Sequence, residues 1–374
     1  MSGAADKMRI LLAAGGTGGH LFPAEALAGA LLGRGYAVDL VTDERGGGFA
    51  GRLSSVPVHR IASGGIAGKG LSARARNSLR LMLGVLQSRN LLKRLRPSVA
   101  VGFGGYPSLP PILAAQWGRI RTVVHEQNAV AGRANRLLMK RANRVALSFE
   151  TVRYCEQVPA AKKTVTGNPV RAAISEVGGR TYRAPEAGGP LHLLVFGGSQ
   201  GARVFGRVTP PALALLPEDL RRRLKLVQQV RAEDLEAVSA AYRTLGLAVE
   251  LKPFFDDMPV RYEWAHLVMC RSGASSVAEL AAAGRPALII PLPNSIDDHQ
   301  LANAESLAVK GAAWVLDESA CSAETLAQRL IAILVDHDGL ARAAERARGL
   351  ARLDAAERLA DVVTGLIPSR EGGR

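Results

Sequence analysis

The sequence has few cysteines, few aromatic residues and no long apolar segment, and each shortage excludes a class of protein. Its three cysteines, Cys155, Cys270 and Cys321, are scattered and lack metal-ligand spacing, so neither a disulfide framework nor a zinc site is expected. No uninterrupted apolar run approaches the roughly 20 residues of a membrane span. The first twenty residues lack the basic segment and cleavage site of a secretory signal. We therefore expect a cytosolic globular protein.

Acidic residues are missing between Glu44 and Glu126, although Arg and Lys recur through that stretch. Over the whole chain, Lys and Arg number 48 against 33 Asp and Glu, which gives a formal charge of +15. Such a field attracts anions, whether nucleic acid, an acidic membrane surface or a phosphorylated substrate. Aromatic residues make up only 5% of the chain, and the glycine loops do not resemble a stacking platform. We therefore expect no nucleic-acid partner.

Two similar segments divide the chain. "MRILLAAGGTGGH" at 8–20 and "LHLLVFGGSQGAR" at 191–203 each pass from an apolar run into a glycine loop and then a helical stretch. Alternating strand and helix patterns follow both. The sequence therefore predicts the α/β class, with two doubly wound, Rossmann-like parallel-sheet domains facing a central cleft. We place the domains at 1–170 and 171–350. The alternation does not say which domain the final helix joins, and we predict that 351–374 returns to the first.

The strand predictions are specific. Besides the two openings, strand-like runs occur at 36–43, 98–108, 121–128 and 144–149 in the first half, and at 224–230, 248–254, 266–273 and 286–293 in the second. Glycine loops follow several of these runs, and backbone N–H groups beside a helix N-terminus suit a phosphate. Loops of this kind in both halves predict phosphates on both sides of one cleft.

A dinucleotide-binding oxidoreductase is one alternative interpretation of the opening loop. Gly16 and Gly18 begin a G-x-G-x-x-G fingerprint, and Asp43 ends the second strand as a ribose ligand would. Leu21, however, occupies the place of the third glycine, and the other glycine loops stay unexplained. No G-x-x-x-x-G-K-[ST] segment supports a P-loop nucleotidase.

Glu279 also has two interpretations. Ser276 and Glu279 have the S-x-x-E spacing of a helix capping box, and Gly284 with Pro286 would stop that helix. Alternatively, the helix opens at the carboxyl edge of the sheet, where Glu279 accepts hydrogen bonds from a ribose diol.

Seven segments together resemble the motif series of the MurG family of N-acetylglucosaminyltransferases. They occur in order between about residues 9 and 312, and read "GGTGGHLFPA", "GFGGYPS", "HEQN", "TGNPVR", "FGGSQGAR", "CRSGASSVAEL" and "DDHQLANA". The resemblance implies the GT-B fold and an inverting transfer of N-acetylglucosamine from UDP-GlcNAc to lipid I, which gives lipid II in peptidoglycan synthesis. It also implies a peripheral position at the cytoplasmic face of the inner membrane. A GT-B enzyme with another lipid acceptor is the nearest alternative.

The resemblance places the donor in the second domain, 171–350. Glu279 would hold the ribose, the backbone near Phe255 the uracil, and Ser199 with Gln200 the diphosphate.

Three further donor contacts follow from the same resemblance. His299 and Gln300 would lie beside the sugar hydroxyls, and Arg171 would approach the donor as the cleft closes.

The acceptor's pyrophosphate would lie on the first domain. The implied acceptor residues are Gly16, Thr17, Gly18, Gly19, His20, Gly104, Gly105, Tyr106 and Asn128. The reaction needs a base for the acceptor hydroxyl, and His20 is the first candidate because histidine ordinarily titrates near neutral pH. A structural role for His20 at the start of its helix is equally open, and Glu126 is the rival base.

We expect neither a metal nor another cofactor. Helix N-termini and loop amides stabilise a departing UDP without a metal. The one D-x-D sequence, Asp336-His337-Asp338, lies between two helical patterns and is interpreted as a turn.

An anionic membrane surface is the remaining expected partner. The segment 71–97 is amphipathic, and its core-facing residues are predicted to be Leu81, Val85, Leu92 and Leu95. An apolar patch ringed by cations is predicted from Ile66, Leu71, Leu79, Met82 and Trp117 with Lys69, Arg74 and Arg76.

Overall fold

The chain forms two compact units in a computed structural model. The first unit comprises Met1–Arg171 together with Arg352–Arg374, and the second comprises Ala172–Ala351. The structure describes residues 7–15, 18–43, 53, 55–64, 71–198 and 201–368, with the side chains of 71–75 left aside.

The first unit is built on a parallel sheet, as predicted. Its strands lie in the order β3-β2-β1-β4-β5-β6-β7, and every neighbouring pair is parallel. The strands are β1 (Arg9–Ala13), β2 (Ala37–Thr42), β3 (Val58–Arg60), β4 (Val99–Gly102), β5 (Arg121–Glu126), β6 (Arg144–Leu147) and β7 (Lys163–Val165).

Helices cover both faces of this sheet. They are α1 (Gly18–Gly33), α2 (Leu71–Leu95), α3 (Leu109–Trp117), α4 (Arg133–Met139) and α14 (Ala355–Thr364), with 3-10 turns at Tyr106–Ser108 and Ala160–Lys162. Leu11 packs on one face with α2, α3 and α4, whereas Ile10 and Leu12 pack on the other with α1 and α14. Burial on both faces explains why the central strands are continuous apolar runs.

Helix α14 therefore packs in the first unit. Its Leu359 and Val363 belong to the same core cluster as Leu27 of α1. Arg34, which follows α1, pairs with Glu357 and, at 2.7 Å, with Asp361.

The second unit repeats the strand order of the first. Its parallel sheet runs β10-β9-β8-β11-β12-β13. The strands are β8 (Leu191–Phe196), β9 (Leu224–Gln229), β10 (Val249–Lys252), β11 (Leu267–Cys270), β12 (Ala287–Ile289) and β13 (Ala313–Val315).

The helices of the second unit alternate with its strands. They are α5 (Ala172–Gly178), α6 (Arg203–Ala214), α7 (Glu218–Arg223), α8 (Leu235–Thr244), α9 (Met258–Trp264), α10 (Ala274–Ala283), α11 (His299–Ala308), α12 (Ala323–Val335) and α13 (His337–Gly349). Short 3-10 turns occur at Ala232–Asp234, Ile296–Asp298 and Glu318–Ala320. The D-x-D sequence lies at a helix-to-helix turn, as predicted. Asp336 separates α12 from α13 and caps α13 by accepting a hydrogen bond from the Gly339 N–H at 2.8 Å, and His337 and Asp338 begin α13.

Each sheet has one point where the strand order reverses, between β1 and β4 in the first unit and between β8 and β11 in the second. In open parallel sheets, ligands bind beyond the carboxyl ends of the strands at such a point. Among the described residues, Gly15 follows β1 ahead of α1, Gly104 and Gly105 follow β4, and Gly197 and Gly198 follow β8. Both units thus place predicted phosphate loops at the switch point.

Candidate active site

In the first unit, His20 lies where the loops after β1 and β4 meet. It is the third residue of α1, and Gly19 precedes it in the same turn. A Cβ added at Gly15 would lie 3.3 Å from the His20 Cδ2, and one added at Gly105 would lie 3.2 Å from the same atom. Gly105 has a φ of 72°, which only glycine adopts without strain. Both loops therefore approach the imidazole closely because they carry no side chain there.

The rest of the β4 loop passes close to Asn135 of α4. Gly104 has a φ of 80°, and a Cβ at this position would lie 3.2 Å from the Asn135 Nδ2. Tyr106 begins the 3-10 turn that leads into α3. Gly18 begins α1, whereas Gly16 and Thr17 lie outside the described residues.

Glu126, at the end of β5, is buried and fully hydrogen-bonded. Its Oε1 accepts from the backbone N–H of Asn128 at 3.0 Å and from the Asn128 Nδ2 at 3.2 Å. Its Oε2 accepts from the Gly132 N–H at 2.9 Å and from the Asn135 Nδ2 at 2.8 Å. This carboxylate holds the loop between β5 and α4, and it orients the amide of Asn128.

His125 lies beside Glu126 and is kept neutral. Burial lowers its pKa to about 4, a hydrogen bond with the Gly167 carbonyl opposes that shift, and electrostatic interaction with the neighbouring His20 lowers the pKa further. Its Nδ1 lies 3.2 Å from the Gln127 Nε2, which also donates to the Phe103 carbonyl at 2.7 Å. The ends of β4 and β5 and the Gly167 turn are thereby tied together.

Arg171 lies in the first unit, although we predicted it at the start of the second domain. It is the last residue before the division, and its guanidinium lies 4.5 Å from the centre of the Phe22 ring in α1. Phe22 follows His20 by two residues. Sequence reasoning also missed Asn168, whose side-chain amide is buried and has no hydrogen-bond partner within the described part of the chain.

In the second unit, β8 is followed by a glycine turn, named here for Gly197, Gly198 and Gly201. The Gly201 N–H donates to the Gly198 carbonyl at 3.0 Å, and both residues have positive φ. A Cβ at Gly197 would collide with the backbone of Gly201 and Ala202. Ser199 and Gln200, which we predicted to hold the diphosphate, lie between these glycines but outside the described residues.

Glu279 is a buried residue in the body of α10. The capping-box interpretation is wrong, because the helix begins at Ala274 with Gly273 as its N-cap, so Ser276 lies inside the first turn. The Tyr262 hydroxyl donates to the Glu279 Oε2 at 3.2 Å, and Tyr262 itself is fully buried. The carboxylate is therefore held in place from α9.

The segment after β10 carries Phe255, which is buried. Arg261 of α9 lies 5.1 Å from the centre of the Phe255 ring and donates to Asp257 at 2.9 Å and to Glu250 at 2.6 Å. These hydrogen bonds lower the pKa of both carboxyl groups. The segment 253–257 is thus fixed at the carboxyl edge of the sheet.

His299 and Gln300 begin α11. The His299 Nδ1 lies 2.8 Å from the Ile296 carbonyl, and the Gln300 Oε1 accepts from the Leu292 N–H at 3.0 Å. The preceding turn contains Asp297 and Asp298, both at a φ of 54°, which is uncommon for residues other than glycine.

Ser272 is a further residue that the sequence did not single out. It lies in the loop between β11 and α10, and its buried hydroxyl has no partner among the residues described. Its carbonyl accepts from the Asn303 Nδ2 at 3.0 Å, which ties the loop to α11.

The described residues offer neither a cluster of metal ligands nor a membrane-spanning helix. No group of three His, Cys, Asp or Glu side chains there is arranged to hold a metal ion. No helix in that part of the chain has the length and apolarity needed to cross a membrane.

Comparison with known families finds matches in both units. The glycosyltransferase family 28 N-terminal domain matches residues 10–147, and the glycosyltransferase family 28 C-terminal domain matches residues 192–359.

Curated relatives match over nearly the full length. The chain is 53% identical over 356 residues to the Rhodospirillum centenum UDP-N-acetylglucosamine--N-acetylmuramyl-(pentapeptide) pyrophosphoryl-undecaprenol N-acetylglucosamine transferase, which covers 95% of this chain and 94% of that protein. The protein of the same name from Paramagnetospirillum magneticum is 50% identical, and the match covers 98% of this chain and 99% of the relative.

A solved structure agrees with these relatives. The crystal structure of Acinetobacter baumannii MurG superimposes with a TM-score of 0.75 at 32% identity, and covers 96% of this chain and 99% of that one. The two parallel-sheet domains are those of the GT-B fold.

Proposed function

The chain belongs to glycosyltransferase family 28 and, within it, to the MurG family, and from this membership we propose that it transfers N-acetylglucosamine from UDP-N-acetylglucosamine to lipid I. Lipid I is the undecaprenyl-pyrophosphoryl N-acetylmuramyl pentapeptide, and the product is lipid II. The observation that carries this proposal is the identity of about half the residues, over nearly the whole chain, to enzymes named for this reaction.

The second unit is proposed to bind the donor. Glu279, held by Tyr262, would accept hydrogen bonds from the ribose, and the fixed segment around Phe255 would meet the uracil. The glycine turn with Ser199 and Gln200 would face the diphosphate. His299 and Gln300, at the start of α11, would lie beside the sugar hydroxyls.

The first unit is proposed to bind the acceptor. The loops at 15–20 and 102–106 would cradle its pyrophosphate through backbone N–H groups, beside the N-terminus of α1. We assign the general base to His20, because both loops converge on its ring. Glu126 is the weaker candidate, since four N–H donors already occupy its oxygens and fix it to the loop. Asn128 would orient the acceptor.

The proposed step is a displacement at the anomeric carbon. The oxygen of the acceptor hydroxyl attacks the anomeric carbon of N-acetylglucosamine while the hydroxyl proton passes to His20. The bond between that carbon and the diphosphate breaks, the anomeric configuration inverts, and UDP departs with the negative charge. Loop amides and the N-terminus of α6, which follows the β8 glycine loop, would stabilise that charge. We therefore propose that no divalent ion is essential.

The first unit is also proposed to dock on an anionic membrane at the cytoplasmic face. Helix α2 exposes an apolar face with helical spacing, formed by Leu79, Met82, Leu83 and Leu86, and Trp117 at the end of α3 is exposed as well.

The opposite face of α2 packs on the core through the residues predicted for it, Leu81, Val85, Leu92 and Leu95. Arg76 and Arg80 lie exposed on the same helix. The described residues do not include the predicted patch residues Ile66 and Lys69, nor the side chains of Leu71 and Arg74.

A vesicle assay tests the membrane contact. Reversing Arg76 and Arg80 to Glu should weaken sedimentation with vesicles containing anionic lipid, because each well-placed cation contributes about 1 kcal/mol. Neutral vesicles are the control. Unchanged binding of the double variant to anionic vesicles would contradict the proposed contact.

A panel of acceptors tests the substrate. The purified protein is incubated with UDP-GlcNAc and either a short-chain lipid I analogue or a lipid pyrophosphate that carries a different sugar. Transfer only to the muramyl acceptor is expected. Preferred transfer to the other sugar would favour the alternative of a GT-B enzyme with another lipid acceptor.

A further inference from the structure

Two segments of the proposed donor site are joined by one side chain, Gln229. It is the last residue of β9 and is buried, at 4% exposure. Its Oε1 accepts from the Gly197 N–H at 3.0 Å, and its Nε2 donates to the Gly198 carbonyl at 3.0 Å and to the Pro253 carbonyl at 3.1 Å. One amide thus links the glycine turn after β8 to the segment after β10.

The planar amide fixes the spacing of these two segments. Both of its polar atoms are used, so Gln229 cannot turn over without placing its NH₂ group against the Gly197 N–H. The Gly198 carbonyl accepts from both Gln229 and Gly201, so the same oxygen closes the glycine turn. The proposed diphosphate loop and the proposed uracil segment are therefore held in a fixed relation before any ligand arrives.

We propose that Gln229 is a positioning residue that sets the register between the diphosphate loop and the uracil segment, so that a nucleoside diphosphate engages both at once. The inference rests on the proposed function, because it takes the ligand to be a uridine diphosphate sugar. Gln229 itself touches no substrate in this proposal. Preorganisation of this kind favours a ligand that spans both segments over one that contacts a single segment.

The test compares two ligands on one variant. Gln229→Met keeps the side-chain volume and removes all three hydrogen bonds. We expect the affinity for UDP, measured by calorimetry, to fall about 10- to 100-fold, because the two segments are no longer held at the spacing that a nucleoside diphosphate needs. Uridine, which lacks the diphosphate and so does not reach the glycine turn, should bind less than about threefold more weakly. The ratio of the uridine Kd to the UDP Kd should therefore fall, and this fall is the collapse of the affinity ratio that the test measures.

The neighbouring residue supplies a matched control. Gln228 is also a buried glutamine of β9, but its Oε1 accepts from the Tyr242 hydroxyl, and its Nε2 has no hydrogen-bond partner among the described residues. Gln228→Met should shift Tm without changing the ratio of uridine to UDP affinity. A general loss of stability moves both variants alike, whereas lost positioning moves the ratio only in Gln229→Met.

A second variant covers the case in which Gln229→Met fails to fold. In Gln229→Glu the side chain keeps an acceptor for the Gly197 N–H, but it donates nothing while ionised. Protonation would restore one donor, so its UDP affinity relative to the unsubstituted protein should recover about threefold or more as pH falls from 7.5 to 5.

The outcomes separate the two proposals. A collapsed affinity ratio in Gln229→Met, or a recovery at low pH in Gln229→Glu, supports the inference. An unchanged ratio in a folded Gln229→Met, or a flat profile in Gln229→Glu, overturns it. Failure of the unsubstituted protein to bind UDP would instead overturn the proposed function.

Discussion

The substitution Glu126→Gln separates a general base from a carboxylate that holds a loop. Both oxygens of Glu126 are occupied, Oε1 by the two N–H groups of Asn128 and Oε2 by those of Gly132 and Asn135. A glutamine has one oxygen. In either orientation, its NH₂ group must therefore face two N–H donors that now have no acceptor.

The size of the effect follows from these contacts. A hydrogen bond to a charged group contributes about 1.5 to 3 kcal/mol, so losing two of them costs about 3 to 6 kcal/mol. Removing a buried charge offsets part of this cost, and we expect a net loss of about 2 to 4 kcal/mol in the stability of the first unit. For a unit of this size, that corresponds to a decrease in Tm of roughly 10 °C.

Calorimetry and kinetics on two variants provide the assay. Glu126→Gln should unfold at a clearly lower temperature. His20→Ala should keep a Tm within a few degrees of the unsubstituted protein but lose about 10²- to 10⁴-fold in kcat, as expected for a lost general base. A Glu126→Gln variant with unchanged Tm and a kcat loss of that size would refute the reasoning and make Glu126 the base.

Three further predictions concern single residues. Tyr262→Phe removes the hydroxyl that donates to Glu279, so UDP should bind about three- to tenfold more weakly and be distinguished less well from 2′-deoxy-UDP; equal discrimination would count against the ribose assignment. Gly105→Ala places a methyl 3.2 Å from the His20 ring at a φ of 72°, so kcat should fall at least about tenfold while the Kd of UDP stays constant. Burial lowers the pKa of His125 from 6.5 to about 4, so the unfolded chain takes up the proton first and stability should be lost as pH falls from 6.5 to 4. The slope of unfolding free energy against pH should be shallower in His125→Gln, and an equal slope would show that His125 does not cause it.

Much of the fold could be predicted because its information is local. The runs at 191–196 and 267–270 are apolar except for His192, since both faces of a parallel sheet are buried. Glycines follow the first run, where the chain turns towards a helix. The edge strands β3, β7 and β13 were missed. Each has three residues and little burial, so its pattern resembles that of a loop.

The site was predicted less completely because several of its contacts are not local. Gln229 follows Gly197 by 32 residues, and Tyr262 precedes Glu279 by 17, so neither pairing leaves a spacing signal in the sequence. The capping-box prediction was wrong because the start of α10 depends on backbone conformation, which the spacing of two side chains does not report. Gly273 begins α10 through its backbone conformation alone, and the Ser276 spacing to Glu279 has no part in it.

The most direct test of the central claim follows the sugar itself. The purified protein is incubated in EDTA with labelled UDP-N-acetylglucosamine and a short-chain lipid I analogue, and the label in the lipid fraction is measured. We predict that label passes into a product with one added N-acetylglucosamine in the inverted configuration, and that His20→Ala abolishes nearly all of it. An unlabelled lipid fraction from a protein that still binds UDP would contradict the proposed transfer.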